Sequence, residues 1–345
     1  MTKIKLCVMA ACAVALAVAF GSTTPAAQGG DAVKMHIDAA KQSAGTMWAQ
    51  LQANLCNRAV GMEAPDSPQN APAQPGAPPP GPPPRSVWYG APAKVFDNVY
   101  VFSTKNGWGG TTVWAINTSD GIVLIDTLWD YAIKGEVEDG LKSFGLNPAN
   151  IKAAFITHGH GDHFGGAKYL QEMYSSKIYI SAPDWDLMER QAKAAGGNQN
   201  QPLFKKDLTA TDGQKFTLGD TTLTVYITPG HTQGTLSFIF PVKINGVTHM
   251  AALWGGTAIS PNTGTDNLKQ YSASVNRFMD LVKQNKVDVM LSNHNGFGQY
   301  FGKISAMKPG APNPFVVGTD GVLRFLQVLD HCAQANFAAA AAQKK

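Results

Sequence analysis

His158-Gly159-His160-Gly161-Asp162-His163 sets three imidazoles and a carboxylate within six residues, directly after an apolar stretch, 151–157, that reads as a buried strand. Imidazole nitrogen and carboxylate oxygen are donors that Zn(II) and its first-row neighbours accept readily. Alternation sends neighbouring side chains in different directions, so His158 and His160 can share one metal. The turn that Gly159 and Gly161 permit leaves Asp162 and His163 to face a second metal beside the first. Two metals need more ligands than this loop holds. His231, in Thr228-Pro229-Gly230-His231-Thr232, and His294, in Leu291-Ser292-Asn293-His294-Asn295, both follow predicted strands. Assigning one to each metal gives the sets His158/His160/His231 and Asp162/His163/His294, with a shared water or hydroxide completing both. Five of the eight histidines are then used. His36, His249 and His331 have no metal-type neighbour at ligand spacing and are expected to be ordinary core or surface residues.

These ligands need elements to hold them in place. Strand patterns fall at 99–103, 111–116, 121–125, 151–157 and 177–181, with helical periodicity at 131–144, 165–174 and 183–194. The second half repeats the grammar: strands at 215–218, 221–228, 235–241, 246–254 and 287–291, with helices at 268–284 and 318–335. Two such halves suit a sandwich. Upstream, Ile37, Ala40, Ala44, Met47, Trp48, Leu51 and Leu55 recur at three- and four-residue steps, which predicts one amphipathic helix within 31–60. Residues 64–86, culminating in Pro78-Pro79-Pro80-Gly81-Pro82-Pro83-Pro84, read as a semi-rigid linker that tethers this helix apart from a catalytic domain at 92–335. The 336–345 tail is expected to fray.

Residues 1–27 have the layout of a secretory leader: Lys3 and Lys5, an apolar run from Leu6 to Phe20, then small residues. That run is short for a membrane span of about 20 residues, so cleavage and a periplasmic or secreted product are expected. Net charge falls from +4 to +2 when the two leader lysines leave. No basic stripe is present, which excludes nucleic acid and anionic membrane as implied partners and leaves a small-molecule substrate. Cys7 and Cys12 go with the leader. Cys56 and Cys332 remain as the one pair, and a disulfide between them would remove on the order of 4 to 5 kcal/mol of denatured-state entropy; two free thiols are the alternative.

The ligand array resembles the metallo-β-lactamase superfamily across 92–335, with Gly121-Ile122-Val123-Leu124-Ile125-Asp126, the metal loop, His231 and His294 in the family's order. The resemblance implies an α+β fold, an αββα sandwich carrying an N-terminal helical extension. It also implies two Zn²⁺ per chain, Asp126 supporting a ligand from behind, and Asp162 orienting the attacking water. Many thioesterases and phosphodiesterases of this fold carry a bridging aspartate where this chain reads Trp254-Gly255-Gly256-Thr257. Without a carboxylate or thiolate there, the sequence is most similar to the β-lactamase subclass with Asp-His-His at the second zinc. In that subclass the metal-bridging hydroxide opens the β-lactam amide, and serines near Thr257 and Ser260 hold the substrate carboxylate. Trp108 at a glycine-rich hairpin tip, Trp129 and Gln233 are further substrate-contact candidates. The alternatives are a related hydrolase acting on a lactone, thioester or other ester, and a non-catalytic metal-bearing binding protein. The N-terminal helix could also join two copies into an oligomer.

Overall fold

Residues 25–63, 84–105, 110–193 and 204–343 are described by a computed structural model. Residues 1–24 of the expected leader, most of the proline-rich segment and Trp108 lie outside the described residues, and the last three leader positions, 25–27, begin a helix. Two sheets form the centre. The first has seven strands in chain order: β1 (Ala93–Phe96), β2 (Val99–Ser103), β3 (Thr112–Thr118), β4 (Gly121–Ile125), β5 (Ile151–Phe155), β6 (Lys177–Ser181) and β7 (Leu208–Ala210). Pairing is antiparallel up to β4, with two-residue turns joining β1 to β2 and β3 to β4, and parallel from β4 to β7. Parallel neighbours need crossovers, and the helices Ala167–Tyr174 and Ala182–Lys193 supply them for β5–β6 and β6–β7.

The second sheet comprises β8 (Lys215–Leu218), β9 (Thr221–Ile227), β10 (Leu236–Ile244), β11 (Val247–Trp254) and β12 (Val289–Ser292), in the order β12-β11-β10-β9-β8. Only β11–β12 is parallel, joined through the helix Thr265–Gln284. Trp114, Phe155, Phe238, Phe240, Leu253 and Leu291 fill the space between the sheets. Phe102, Leu124, Leu141, Leu170 and Trp185 pack between the first sheet and its helices; Trp254, Tyr271, Phe278 and Phe325 do so behind the second. Three apolar layers between four structural ones make the αββα sandwich.

Three expectations are corrected. The N-terminal segment is two helices, Pro25–Ala44 and Ala49–Cys56, because Gly45 takes φ +51° and turns the chain. Nor does it stand apart: Ala40, Ala44, Trp48, Leu51 and Leu55 are buried in the same layer as Phe278 and Phe325. Trp48 donates its indole N–H to the Gly321 carbonyl at 2.9 Å and meets Phe325 edge-on. Of the apolar positions on the face invoked for joining two copies, Ala40, Ala44, Trp48, Leu51 and Leu55 are buried within the chain itself, while Met47 stays 40% exposed. The terminal helix, Gly318–Ala342, runs through the expected frayed tail, with Asn336, Ala339 and Ala340 buried against the N-terminal pair. Alanine-rich sequence carries little amphipathic signal but packs closely when a partner helix is present.

Cys56 and Cys332 form a disulfide, their Cα atoms 4.8 Å apart, which fastens the second helix to the terminal one. The predicted helix at 131–144 opens instead as a wide π turn, Ile133–Glu138, before the short helix Asp139–Ser143. Inside that turn Glu136 is fully buried and accepts the Gly90 N–H at 2.7 Å. No helix among the described residues is long and apolar enough to cross a membrane.

Candidate metal centre

The ends of β4, β5, β9 and β12 meet at one edge of the sandwich; those of β5, β9 and β12 are followed by residues of the two sets, and that of β4 by the aspartate that supports one of them. Asp126 follows β4, the histidine loop follows β5, His231 lies four residues beyond β9, and His294 lies two beyond β12. Gly230 makes the β9 turn possible. It sits at φ +146°, and a Cβ there would fall 2.5 Å from Tyr271 Cα, so only glycine lets the helix Thr265–Gln284 pack against the loop that presents His231.

His158, His160 and His231 form one group of candidate ligand atoms, and Asp162, His163 and His294 a second, each group within 4.8 Å. In the first, His231 Nε2 lies 3.0 Å from His158 Nε2 and 3.1 Å from His160 Nδ1. Tetrahedral zinc with nitrogen at about 2.0–2.1 Å separates its ligand nitrogens by roughly 3.3 Å, so these three already stand near that spacing. The outer nitrogens fix which atoms face inward. His158 Nδ1 donates to the Gly255 carbonyl at 2.9 Å and His231 Nδ1 to the Ala258 carbonyl at 2.6 Å. Carbonyls only accept, so each ring carries its hydrogen on Nδ1 and turns a bare Nε2 to the centre.

The second group is built the same way. His163 Nδ1 donates to Asp126 Oδ2 at 2.7 Å, leaving Nε2 buried, without a hydrogen bond and 3.3 Å from Asp162 Oδ2. His294 Nε2 lies 3.8 Å from the same oxygen. Buried polar atoms are nearly always satisfied, and an imidazole nitrogen left open beside a carboxylate and a second imidazole fits a metal cation. The residues present therefore suit two zinc ions.

Burial, then the neighbouring imidazoles, pushes His231 and His294 down to about 3 and holds His158 well below its ordinary range. All three are neutral at physiological pH, as metal ligation requires. Burial works against a charged His163, but Asp162 and Asp126 outweigh it and raise the group to about 10, so without a metal Nε2 also carries a proton, which a bound cation would displace. Burial likewise opposes ionisation of Asp162, and the His163 charge overrides it, holding the carboxyl far below the usual carboxylate range.

Several supporting residues carry no sequence signal of their own. Thr111, buried one residue before β3, donates its hydroxyl to Asp162 Oδ2 at 3.0 Å. Asn293 Nδ2 donates to the Gly255 carbonyl at 2.6 Å and to Thr157 Oγ1 at 3.0 Å, tying β12 to the histidine loop. Asp184 accepts from Gly159, Thr232 and Gly234. A threonine before a strand, or an aspartate in a first helical turn, is indistinguishable in one sequence from ordinary capping and turn usage.

The expected substrate contacts fare unevenly. Thr257 is only 1% exposed and its hydroxyl pairs with Ser292 at 3.1 Å, so it braces β12 and does not face a ligand. Ser260 forms the capping box of the turn Pro261–Thr263. Gln233 is exposed two residues from His231 and donates to Asn267 at 2.8 Å. Trp129 stacks on Tyr131 and packs on the apolar layer outside the first sheet. Of the remaining histidines, His249 pairs with Asp288 at 2.6 Å and His36 with the ring of His331, both away from the two sets.

Residues 106–243 match the family model of the metallo-β-lactamase superfamily. Among solved structures, the subclass B3 metallo-β-lactamase BJP-1 of Bradyrhizobium japonicum is 27% identical with a TM-score of 0.63, covering 75% of this chain and 98% of that one. FEZ-1 metallo-β-lactamase from Legionella gormanii, 22% identical with a TM-score of 0.59 over 69% of this chain and 92% of its own, shares the fold. Among curated proteins, hydroxyacylglutathione hydrolase of Francisella tularensis subsp. novicida is 31% identical over 144 residues, 41% of this chain. The match spans 47% of that enzyme, so the chain spans about half the length of the curated relatives it matches. The matched stretch and the two ligand groups are of the kind found in a superfamily of metal-dependent hydrolases.

Proposed function

We propose that the protein is a zinc β-lactamase of the kind with Asp-His-His at its second metal. His158, His160 and His231 would hold one zinc, and Asp162, His163 and His294 the other. Bound there, the two ions supply a water activated for attack at neutral pH and a Lewis acid for the carbonyl oxygen. The chain's own part is preparation. The Gly255 and Ala258 carbonyls and Asp126 keep the imidazole hydrogens on the outer nitrogens, so the inner ones stay open. Thr111 turns Asp162 toward His163 and His294.

The observation that carries this reading is Gly256. A Cβ at that position would lie 2.7 Å from His231 Cβ and 2.8 Å from Thr235 Cγ2, so the bridging carboxylate that many thioesterases and phosphodiesterases of this fold use has no room here. The likeness to BJP-1 over 98% of that enzyme supports the same reading. A thioester hydrolase is the second reading, favoured by the identity to hydroxyacylglutathione hydrolases. The N-terminal leader and the Cys56–Cys332 disulfide support export to an oxidising periplasmic or extracellular space.

A turnover panel on zinc-loaded protein separates the two chemistries. The proposal expects penicillins and cephalosporins to be opened at rates well above cleavage of a hydroxyacyl-glutathione thioester. Thioester cleavage with β-lactams left intact would replace it with the second reading.

A further inference from the structure

Asp184 lies at the start of the helix Ala182–Lys193, belongs to neither ligand set and is fully buried. Its Oδ2 accepts from the Gly159 N–H at 2.8 Å and from the Thr232 hydroxyl at 2.7 Å; its Oδ1 accepts from the Gly234 N–H at 2.9 Å. Gly159 separates His158 from His160, and Thr232 follows His231. One carboxylate therefore joins the two stretches of chain that deliver all three histidines of the first set. Asp184 makes no hydrogen bond to Asp162, His163 or His294, whose support comes from Asp126, Thr111 and the isolated bridge between Thr111 and His294.

Backbone donors make this junction stiffer than a side-chain pair. Two of the three donors are main-chain N–H groups, so the carboxylate fixes the paths of the loops and not merely a rotamer. The fit is close: a Cβ on Gly234 would stand 2.7 Å from Asp184 Oδ1 and 2.0 Å from Ser181 Oγ. Thr232 is held again from the other side, its N–H donating to Thr235 Oγ1 at 3.1 Å. Asparagine keeps the shape but replaces one acceptor oxygen with an NH₂, leaving Gly159 or Gly234 facing a donor, whichever way the amide turns.

We propose that Asp184 is the positioning residue of the first metal: its carboxylate sets the separation between the 158–160 loop and His231, and so the affinity of that site alone. The inference rests on the two-metal reading above, and it is tested on binding, independently of which substrate is hydrolysed.

Zinc affinity by chelator competition gives the test in two backgrounds. Asp162→Ala with His294→Ala leaves only the first site; His158→Ala with His231→Ala leaves only the second. Asp184→Asn is expected to weaken zinc about 10- to 100-fold in the first background and by less than about threefold in the second, the range typical of groups that orient a ligand. Thr232→Val removes one of three donors while keeping its volume, and serves if Asp184→Asn does not fold. It is expected to cost a smaller factor, on the order of threefold, again only at the first site. Unchanged first-site affinity, or an equal loss at both sites, overturns the proposal. Failure of both reference backgrounds to bind zinc overturns the metal reading itself and this inference with it.

Discussion

Asp126 accepts the Nδ1 hydrogen of His163 at 2.7 Å, with both side chains sealed from solvent. The same carboxylate takes the Thr157 N–H at 2.7 Å and the Thr157 hydroxyl at 2.9 Å, so it holds a ligand of the second set and the entry to the histidine loop together. Asp126 itself sits at φ +68°, a left-handed conformation uncommon for a residue with a side chain.

Asp126→Asn is the clean way to probe this junction, because asparagine tolerates the left-handed region nearly as well. Its amide keeps one acceptor and loses the charge that orients the imidazole. The expected outcome is a loss of about 10- to 100-fold in affinity for the second zinc, with hydrolysis falling in parallel. Zinc content against free zinc, followed with activity on the same samples, checks it. Two sites that fill as in the unaltered protein would contradict it.

Glu136 gives a prediction about pH. Burial raises its carboxyl to about 8, only partly offset by the Gly90 N–H and the charges of Arg85 and Lys105. The native state keeps this proton to about pH 8, whereas the unfolded chain releases it near 4.5. The resulting stability is fully present below the unfolded value and is lost as pH rises through the folded one. Glu136→Gln removes the titration. The variant is expected to match the parent near pH 4 and to exceed it by about 2 kcal/mol or more at pH 9. Denaturant midpoints across that range check it; parallel curves for the two proteins would contradict the assignment.

Legibility varied with how locally each feature is encoded. Six residues of one loop state two-thirds of the ligand set, because metal chemistry restricts the donor types and the turn restricts their directions. His231 and His294 could be added because each follows a strand in the right order. Asp184 and Thr111 could not, since their partners are backbone groups and carboxylates brought close only by folding. The N-terminal helices show the same limit from the other side. Their periodicity was visible, but the surface it addresses is the terminal helix, about 280 residues later, and a proline-rich stretch between them reads locally as separation. Thr257 had the correct chemistry for a substrate contact and the wrong direction, which side-chain burial decides and sequence does not.

The Cys56–Cys332 bridge fastens these distant pieces. Cross-linking ends so far apart in sequence restricts the denatured chain, and Cys56→Ser with Cys332→Ser is expected to cost on the order of 4 to 5 kcal/mol. The bridge lies in the layer behind the second sheet, so zinc affinity of the folded double variant should stay within about threefold. Denaturant melts with and without the cysteines measure the first quantity, and chelator competition the second. A large drop in zinc affinity would mean that the N-terminal helices also shape the metal site.

The most direct test of the two-zinc β-lactamase account is a zinc titration of metal-free protein, read as hydrolysis of a chromogenic cephalosporin. The account predicts turnover that rises with added zinc, levels off at two equivalents per chain and disappears with a chelator. No ring opening at any zinc loading, by protein that has bound the metal, would contradict it.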